Sequence, residues 1–464
     1  MKQGNEALSG APLYKPGNHD EGLWPTGDPR PEYEDVLGYL RGDPAAVVAE
    51  LTAALAAEQV HFGGDAFRVD PVPRLITSDE WWKVSRGLEQ RARALVEFVR
   101  DVYSVGEIIE QGLIDSHIVE GAELYEPDLF GAPLPTMPLP LIGFDLVRGD
   151  DGELRVLEDN ARTPSGIAYS IAAREALDSV LPAEVLPPRQ HPAHALDALG
   201  EILQHLADEA DGILILLSEE RAAGAFYEHE VLAEQLRIPI VERAHLRTRG
   251  GNLYAFVDGH DLQVGAIYRR TNEDRIRDAA GDMTWVGETL LEPIRSGRVK
   301  VANSYGAGVA DDKLVCSRVE EMIRFYLGEE PVLSSIRTLD PAEPEQLPEI
   351  LERLGELVVK PRSGLGGERV MIGALAEAGE LVATRRALER DPGLFVAQET
   401  VALSTHPTVE EGRFVPRHVD LRVFVVASHA VPCALTRVAF EPGEMVVNSS
   451  RGGGAKDTWI AARA

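Results

Sequence analysis

Hydrophobic and polar positions follow three rhythms along the chain. From residue 32 to 60 apolar side chains recur at helix spacing, through VLGYL and AAVVAELTAALAAEQ. A second helical stretch is predicted over 78–112. Ser78 and Asp79 are its candidate N-terminal caps, and Trp81, Leu88, Ala94, Leu95, Phe98 and Val99 form its buried stripe. The pair Trp81–Trp82 is expected in the core rather than in a ligand platform. The rhythm then changes to that of strands: PLIGFDLVR (140–148), the turn signal Gly149-Asp150-Asp151-Gly152, and the returning ELRVLEDN. A β-hairpin is predicted there, followed by a helix over 166–178.

Beyond a Pro-rich junction at 183–194 come a helix (195–209), an apolar strand (212–217), a helix (221–236) and a strand (238–242). That alternation predicts a βαβ unit in a small parallel sheet, with NLYAFVDG and QVGAIYRR as further strands. In the last third, VKVANS reads as a strand and RVEEMIRFYLG as a helix ending at Gly328. ELVVKPRSGLGGERVMIG reads as strand, glycine loop, strand. LFVAQETV, DLRVFVVA, CALTRVAF and EMVVNSS resemble the strands of an antiparallel sheet.

Composition narrows the chemistry. The chain has 464 residues, enough for about three domains, and a formal net charge of −30. That charge excludes a nucleic-acid partner and an anionic membrane surface, so any phosphate site must be built locally. No apolar run approaches a membrane span, and MKQGNEALSG has no apolar leader core, which together predict a cytoplasmic location. Cys316 and Cys433 are the only cysteines, too few for a disulfide framework or a thiolate metal site. A metal here would rest on oxygen ligands, hence Mg²⁺ or Mn²⁺. Of 46 basic residues only seven are Lys, among them Lys313, Lys360 and Lys456, so a Lys in a glycine-rich stretch stands out.

Two clusters carry candidate chemistry. On the hairpin, alternation places Glu158 and Asn160 on one face and Asp159 on the other, with Asp145 able to face the first two. Two carboxylates and an amide oxygen suit a divalent cation holding phosphates; a solvated turn explains Asp150 and Asp151 well and Asn160 less well. The following Arg162, Thr163, Pro164, Ser165 and Gly166 enter a helix. There Arg162 and the N–H groups near Ser165 can hold an anion, or Ser165 can simply cap the helix. The second cluster is Val359-Lys360-Pro361-Arg362-Ser363-Gly364-Leu365-Gly366-Gly367. Its glycines permit backbone N–H groups to converge on phosphate oxygens, with Lys360 in reach. It is neither a Walker A loop nor a dinucleotide fingerprint. Further on, an apolar strand ends in Gln398-Glu399, able to present polar groups to adenine and ribose.

Together these pieces resemble the ATP-grasp superfamily, but with the metal-binding Glu-x-Asn ahead of the lysine–glycine loop. That rotated order resembles the circularly permuted ATP-grasp group, which includes glutathionylspermidine synthase-like ligases, and most closely its type 2 proteins. The resemblance runs over nearly the whole chain after about residue 20. It is carried by VPRLI (72–76), GLEQR (87–91), GFDLVR (143–148), LEDNARTPSG (157–166), YEHE (227–230), YRRT (268–271), ADDK (310–313), VKP (359–361), RHVDLR (417–422) and NSSRGGGAKDTW (448–459).

The resemblance implies a circularly permuted ATP-grasp fold of the α+β / α/β class, with a helical N-terminal region and an inserted α/β subdomain. Its segments would be 1–115 (helical), 116–194 (metal-binding half), 195–300 (insert) and 301–464 (nucleotide-binding half). It implies ATP and Mg²⁺ as cofactors, with two ions, and Asp145, Glu158 and Asn160 as metal ligands. Lys313 and Lys360 would meet the phosphates, Ser363 and the Gly364, Gly366 and Gly367 loop would close over them, and Gln398 and Glu399 would form the adenine hinge. Arg162, Arg422 and Lys456 would face the reacting groups. The synthases carry an Arg where this chain has Gly143, so that cation must come from elsewhere. The implied activity is carboxylate–amine ligation through an acyl phosphate, on small-molecule or peptide substrates. A kinase without an amine acceptor and a non-catalytic ATP-binding protein are the alternatives.

Overall fold

The computed structural model describes residues 17, 19–219, 224–272, 275–364, 369–445, 447 and 453–462. Among them three larger sheets organise the chain. The central, seven-stranded sheet runs Val69–Ile76, Gly454–Ile460, His429–Val438, Arg413–Val426, Leu141–Arg148, Leu154–Asn160, with Thr405–Glu410 also paired to Arg413–Val426. Its neighbours are antiparallel except for the parallel pair Val69–Ile76 and Gly454–Ile460.

Side chains of Leu141–Arg148 alternate across this sheet. Ile142, Phe144 and Leu146 share a core with Leu88, Leu95 and Val99 of the long helix Ser78–Val102. On the other face, Leu141 packs against Ile167, Ile171 and Leu199 of the helices Ile167–Val180 and His194–Asp208. Those helices cover one end of that face. Asp145, four residues along, lies at the other end, where the sheet lines a cavity.

The six-stranded sheet lies within 213–302. Ile213–Ser218, helix Phe226–Leu236 and the parallel Ile240–Val241 make the expected βαβ unit. Ile213–Ser218 and Lys300–Ala302 both run parallel to the end of His260–Arg270. The third sheet is antiparallel, in the order Thr338–Leu339, Phe395–Glu399, Leu357–Pro361, Met371–Ile372. It closes its own small core around Ile350, Leu357, Val359 and Leu388. No described helix is long and apolar enough to cross a membrane.

Four local expectations are corrected. The long helix is capped by Thr77, whose Oγ1 accepts the Glu80 N–H at 3.3 Å, rather than by Ser78 or Asp79. Thr77 alone has the extended backbone a cap requires. That helix stops at Val102, and only Glu107–Glu110 continues after Gly106 at φ 74°. Leu88, Ala94, Leu95, Phe98 and Val99 are buried as expected, but Trp82 is 50% exposed. The strand expected at EMVVNSS is absent at its described positions 444, 445 and 447. The free edge of His429–Val438 is taken instead by Gly454–Ile460. Both cysteines are buried free thiols, their pKa pushed up to about 12 by burial.

Candidate active site

A cavity of about 470 Å³ opens between the central sheet and the small antiparallel sheet. Strand register explains its charged floor. Glu158 lies directly opposite Asp145, and Asn160 opposite Gly143. On the next strand Arg422 is the partner of Asp145, and beyond it Arg437 is the partner of Asp420. Opposite charges are thus cross-strand neighbours on one face. Arg422 donates to both Asp145 oxygens at 2.7 and 2.8 Å, and Arg437 adds a third hydrogen bond at 2.9 Å. Burial alone would raise the pKa of Asp145; the two guanidiniums hold it well below the usual carboxylate range. Asp159, as expected, points to the other face, where Arg91 clamps it at 2.6 and 2.8 Å.

The small sheet forms the opposite wall. Lys360, at the end of Leu357–Pro361, reaches across with Nζ 3.3 Å from Glu158 Oε1, joining residues 202 positions apart. Burial acts to raise the pKa of Glu158, yet Lys360 and Lys313 keep it below its ordinary value. Lys313 Nζ donates to the carbonyls of Gly364 at 3.1 Å and Arg362 at 3.4 Å. Ser363 and Gly364 line the cavity; Gly366 and Gly367 lie outside the described residues. Gln398 and Glu399 also line it. Gln398 Nε2 donates to Thr338 Oγ1, and Glu399 pairs with Arg337 at 2.9 Å. Val358, Ile372 and Ile336 give this end apolar walls.

Arg162 lines the cavity with Nε 2.9 Å from Asp311. Lys456 does not reach it. Its side chain is fully buried, ion-paired to Asp70 and hydrogen-bonded to the Pro407 carbonyl at 3.0 Å. Its strand inserts beside Val69–Ile76, deep in the sheet, which sets Lys456 apart from the cavity.

Glu158, Asn160 and Asp145 offer hard oxygen donors on one surface, and among the described residues the buried Asn160 Nδ2 has no hydrogen-bond partner, so no bond from that nitrogen fixes the amide in another orientation. Asp145 already accepts three N–H bonds, leaving about one of its roughly four acceptor positions. The set fits a metal held chiefly by Glu158 and Asn160.

Three cavity residues, Arg437, Asp420 and Arg270, and the buried Glu228 behind them were not foreseen. Arg437 and Asp420 required the strand register. Glu228 and Arg270 lie in YEHE and YRRT, stretches quoted for the resemblance without roles. Glu228 accepts the N–H groups of Gly166 at 2.8 Å and Ala168 at 3.0 Å, and pairs with Arg270 at 2.9 Å. It therefore occupies the helix N-terminus where an anion or a Ser165 cap was expected. Gly143 could not carry the synthases' Arg. A Cβ there would lie 2.8 Å from Pro164 Cβ, and the space beside Asp145 is filled by Arg422 and Arg437.

An acidic hairpin facing a lysine strand across a cleft between two sheets is the layout of an ATP-grasp protein. The circularly permuted ATP-grasp type 2 profile matches residues 73–439, and the chain belongs to that family. A Frankia alni protein provisionally named glutamate–cysteine ligase 2-3 is 40% identical over 97% of this chain and 54% of its own length. A Frankia casuarinae protein, provisionally named glutamate–cysteine ligase 2-2, is 38% identical with the same coverage. The chain thus spans about half the length of these relatives. An uncharacterised Synechocystis protein is 33% identical over 96% of this chain and 98% of its own length. A glutathione synthetase-like effector of Globodera pallida, solved in its apo form, shares the fold. Its TM-score is 0.59 at 11% identity, over 90% of this chain and 96% of that one.

Proposed function

We propose that the chain is an ATP-dependent carboxylate–amine ligase that works through an acyl phosphate. The observation that carries this reading is the approach of Lys360 Nζ to Glu158 Oε1, which brings the two family clusters to one cavity. In this reading the adenine lies against Val358, Ile336 and Ile372, edged by Gln398 and Glu399. Lys313 and Lys360 meet the phosphates, helped by Ser363 and the glycine loop. Glu158 and Asn160, with the remaining acceptor position of Asp145, would hold Mg²⁺, which neutralises phosphate charge when bound. Arg162 and Arg422 face the transferring group.

A substrate carboxylate oxygen attacks the γ-phosphorus and ADP leaves. The amine nitrogen then attacks the acyl carbon, phosphate leaves and the nitrogen gives up a proton. Fixed guanidinium and ammonium groups stabilise the charge that develops on the transferring oxygens. A cavity between two walls also excludes water from the labile intermediate. The provisional names of the Frankia relatives favour the same reaction class.

The test is ADP and phosphate release, screened over amino acids, short peptides and polyamines with MgATP, with Asn160→Ala as control. Joint release of ADP and phosphate that depends on both an acid and an amine is expected. ADP with a stable phosphorylated product would mark a kinase. ATP binding without turnover in any mixture would remove the enzyme reading.

A further inference from the structure

A second, smaller cavity of about 250 Å³ adjoins the first, and the nucleotide leaves it without an occupant. Arg162, Asn272, Asp311, Lys313, Ser363 and Gly364 line both. The residues at the adenine end, Val358, Ile372 and Gln398 among them, line the first alone. The two cavities therefore meet at the phosphate end, beside Lys313 and Arg162, where an acyl phosphate would form. A molecule held in the second cavity approaches that end from the side away from the adenine.

The charges around this second cavity sort into filled and open groups. Arg362 and Asp312 are both buried and bind each other, with Nε and Nη2 donating to the carboxylate at 3.0 to 3.2 Å. Asp311 Oδ1 accepts the N–H groups of Ala161 and Arg162, while Oδ2 accepts Arg162 Nε at 2.9 Å. A carboxylate oxygen can accept about two bonds, so Oδ2 keeps a position open on a side chain that faces both cavities. Arg275 is held from one side. Its Nε donates to the buried Glu126 at 2.8 Å, and among the described residues its two terminal amino groups have no partner. Four cations, Arg162, Arg275, Lys313 and Arg362, thus face three carboxylates, Glu123, Asp311 and Asp312. That balance repels a polycation. A guanidinium whose terminal nitrogens are both open instead fits a carboxylate through two parallel hydrogen bonds.

We propose that the second cavity is the acceptor site and takes an amine that carries a carboxylate, an amino acid in the simplest case. Its carboxylate is bound by Arg275, and its amino group lies beside Asp311, turned toward the phosphate end. This rests on the ligase reading and narrows the acceptor from amines at large to those with an acid group. Arg275 is then a specificity-determining residue that touches the acceptor and no part of the nucleotide.

The test is calorimetric titration of the full chain, saturated with Mg²⁺ and a non-hydrolysable ATP analogue, by glycine, L-alanine, L-glutamate and L-lysine, by the α-carboxamide of each, and by spermidine. At least one amino acid is expected to bind ~10-fold or more tightly than its own carboxamide and than spermidine, the scale of a hydrogen-bonded contact between charged groups. Arg275→Met should abolish that preference and leave the nucleotide analogue's affinity unchanged. Arg275→Lys keeps a cation beside Glu126 should the methionine variant fail to fold. It should still reduce the preference, because an ammonium cannot form the paired contact. Carboxamides or spermidine binding as tightly as every amino acid, no binding by any amino acid, or a preference that survives both variants would overturn the proposal. Ligase and acceptor site fail separately. ADP release supported by spermidine but by no amino acid keeps the ligase and removes this acceptor; Arg275-dependent binding of an amino acid without ADP release in any mixture keeps the carboxylate site and removes the ligase.

Discussion

Lys456 and Lys360 are two of the few lysines in an arginine-rich chain, both buried and both paired to a carboxylate, yet their surroundings differ. Lys456 and Asp70 are 0% exposed, and each has further partners. Lys456 Nζ bonds to the carbonyls of Pro407 and Val72, while Asp70 accepts the N–H groups of Val72 at 3.0 Å and Val409 at 2.7 Å. Close by, Arg74 and Glu21 form another buried pair, although Arg74 Nη1 has no partner among the described residues. At the cavity, among the described residues, Lys360 has one polar contact, 3.3 Å to a Glu158 that is 33% exposed, beside an Asn160 amide with an unused donor. A buried charge whose every valence is filled is architecture. One that borders a cavity with valences to spare is held ready for something else.

The largest expected effect breaks the first cluster. Lys456→Met leaves Asp70 buried without its cation, which should cost about 3–5 kcal/mol of unfolding free energy in a denaturant titration. The molecules that remain folded should bind nucleotide as the wild type does. A variant that kept wild-type stability but lost turnover would move Lys456 into the site and erase the contrast.

This contrast also marks what the sequence could disclose. The hairpin was legible because Gly149 to Gly152 punctuates two strands, and alternation alone separates Glu158 and Asn160 from Asp159. Lys360 was legible from its strand–glycine context. Lys456 looked equivalent, beside glycines at 452–454, because nothing local reveals that its strand inserts beside Val69–Ile76, some 390 residues earlier. Arg437 and Asp420 escaped notice for the same reason: their meeting depends on the register of two long strands. Glu228 at a distant helix N-terminus is likewise a tertiary fact, which overrode the local Ser165 signal.

The next effect, in catalysis rather than stability, breaks the second cluster. Asn160→Ala and Lys360→Met should each lower ADP release by about 10²–10³-fold, the scale of losing one fixed transition-state donor or ligand. Stability should change by no more than ~1 kcal/mol, since a partly exposed single contact contributes little. Thermal unfolding measured beside turnover separates the two. Equal losses in both quantities would show that the cavity pair is as structural as Lys456–Asp70.

The smallest effect comes from a pair between these extremes. His117 joins the body to the small sheet through Nε2, 2.9 Å from a buried Asp340, while Nδ1 meets Asp115 at 2.7 Å. Burial acts to lower the pKa of His117, but hydrogen bonds to Asp340 and Asp115 prevail and raise it above its ordinary 6.5. A raised folded-state pKa means that the native state binds the proton more tightly than the unfolded chain. The stabilisation is therefore complete below about pH 6.5 and fades as pH climbs through the folded value. Because the imidazole is 37% exposed, solvent screening keeps the gain small. Melting temperature followed upward from pH 6 should fall more in the wild type than in His117→Asn, which cannot titrate. Parallel curves would mean that this bridge belongs with the fully satisfied, pH-indifferent contacts of the core. A steeper wild-type curve would place it with charges whose partners are exchangeable, at the joint between the wall that carries Lys360 and the rest of the molecule.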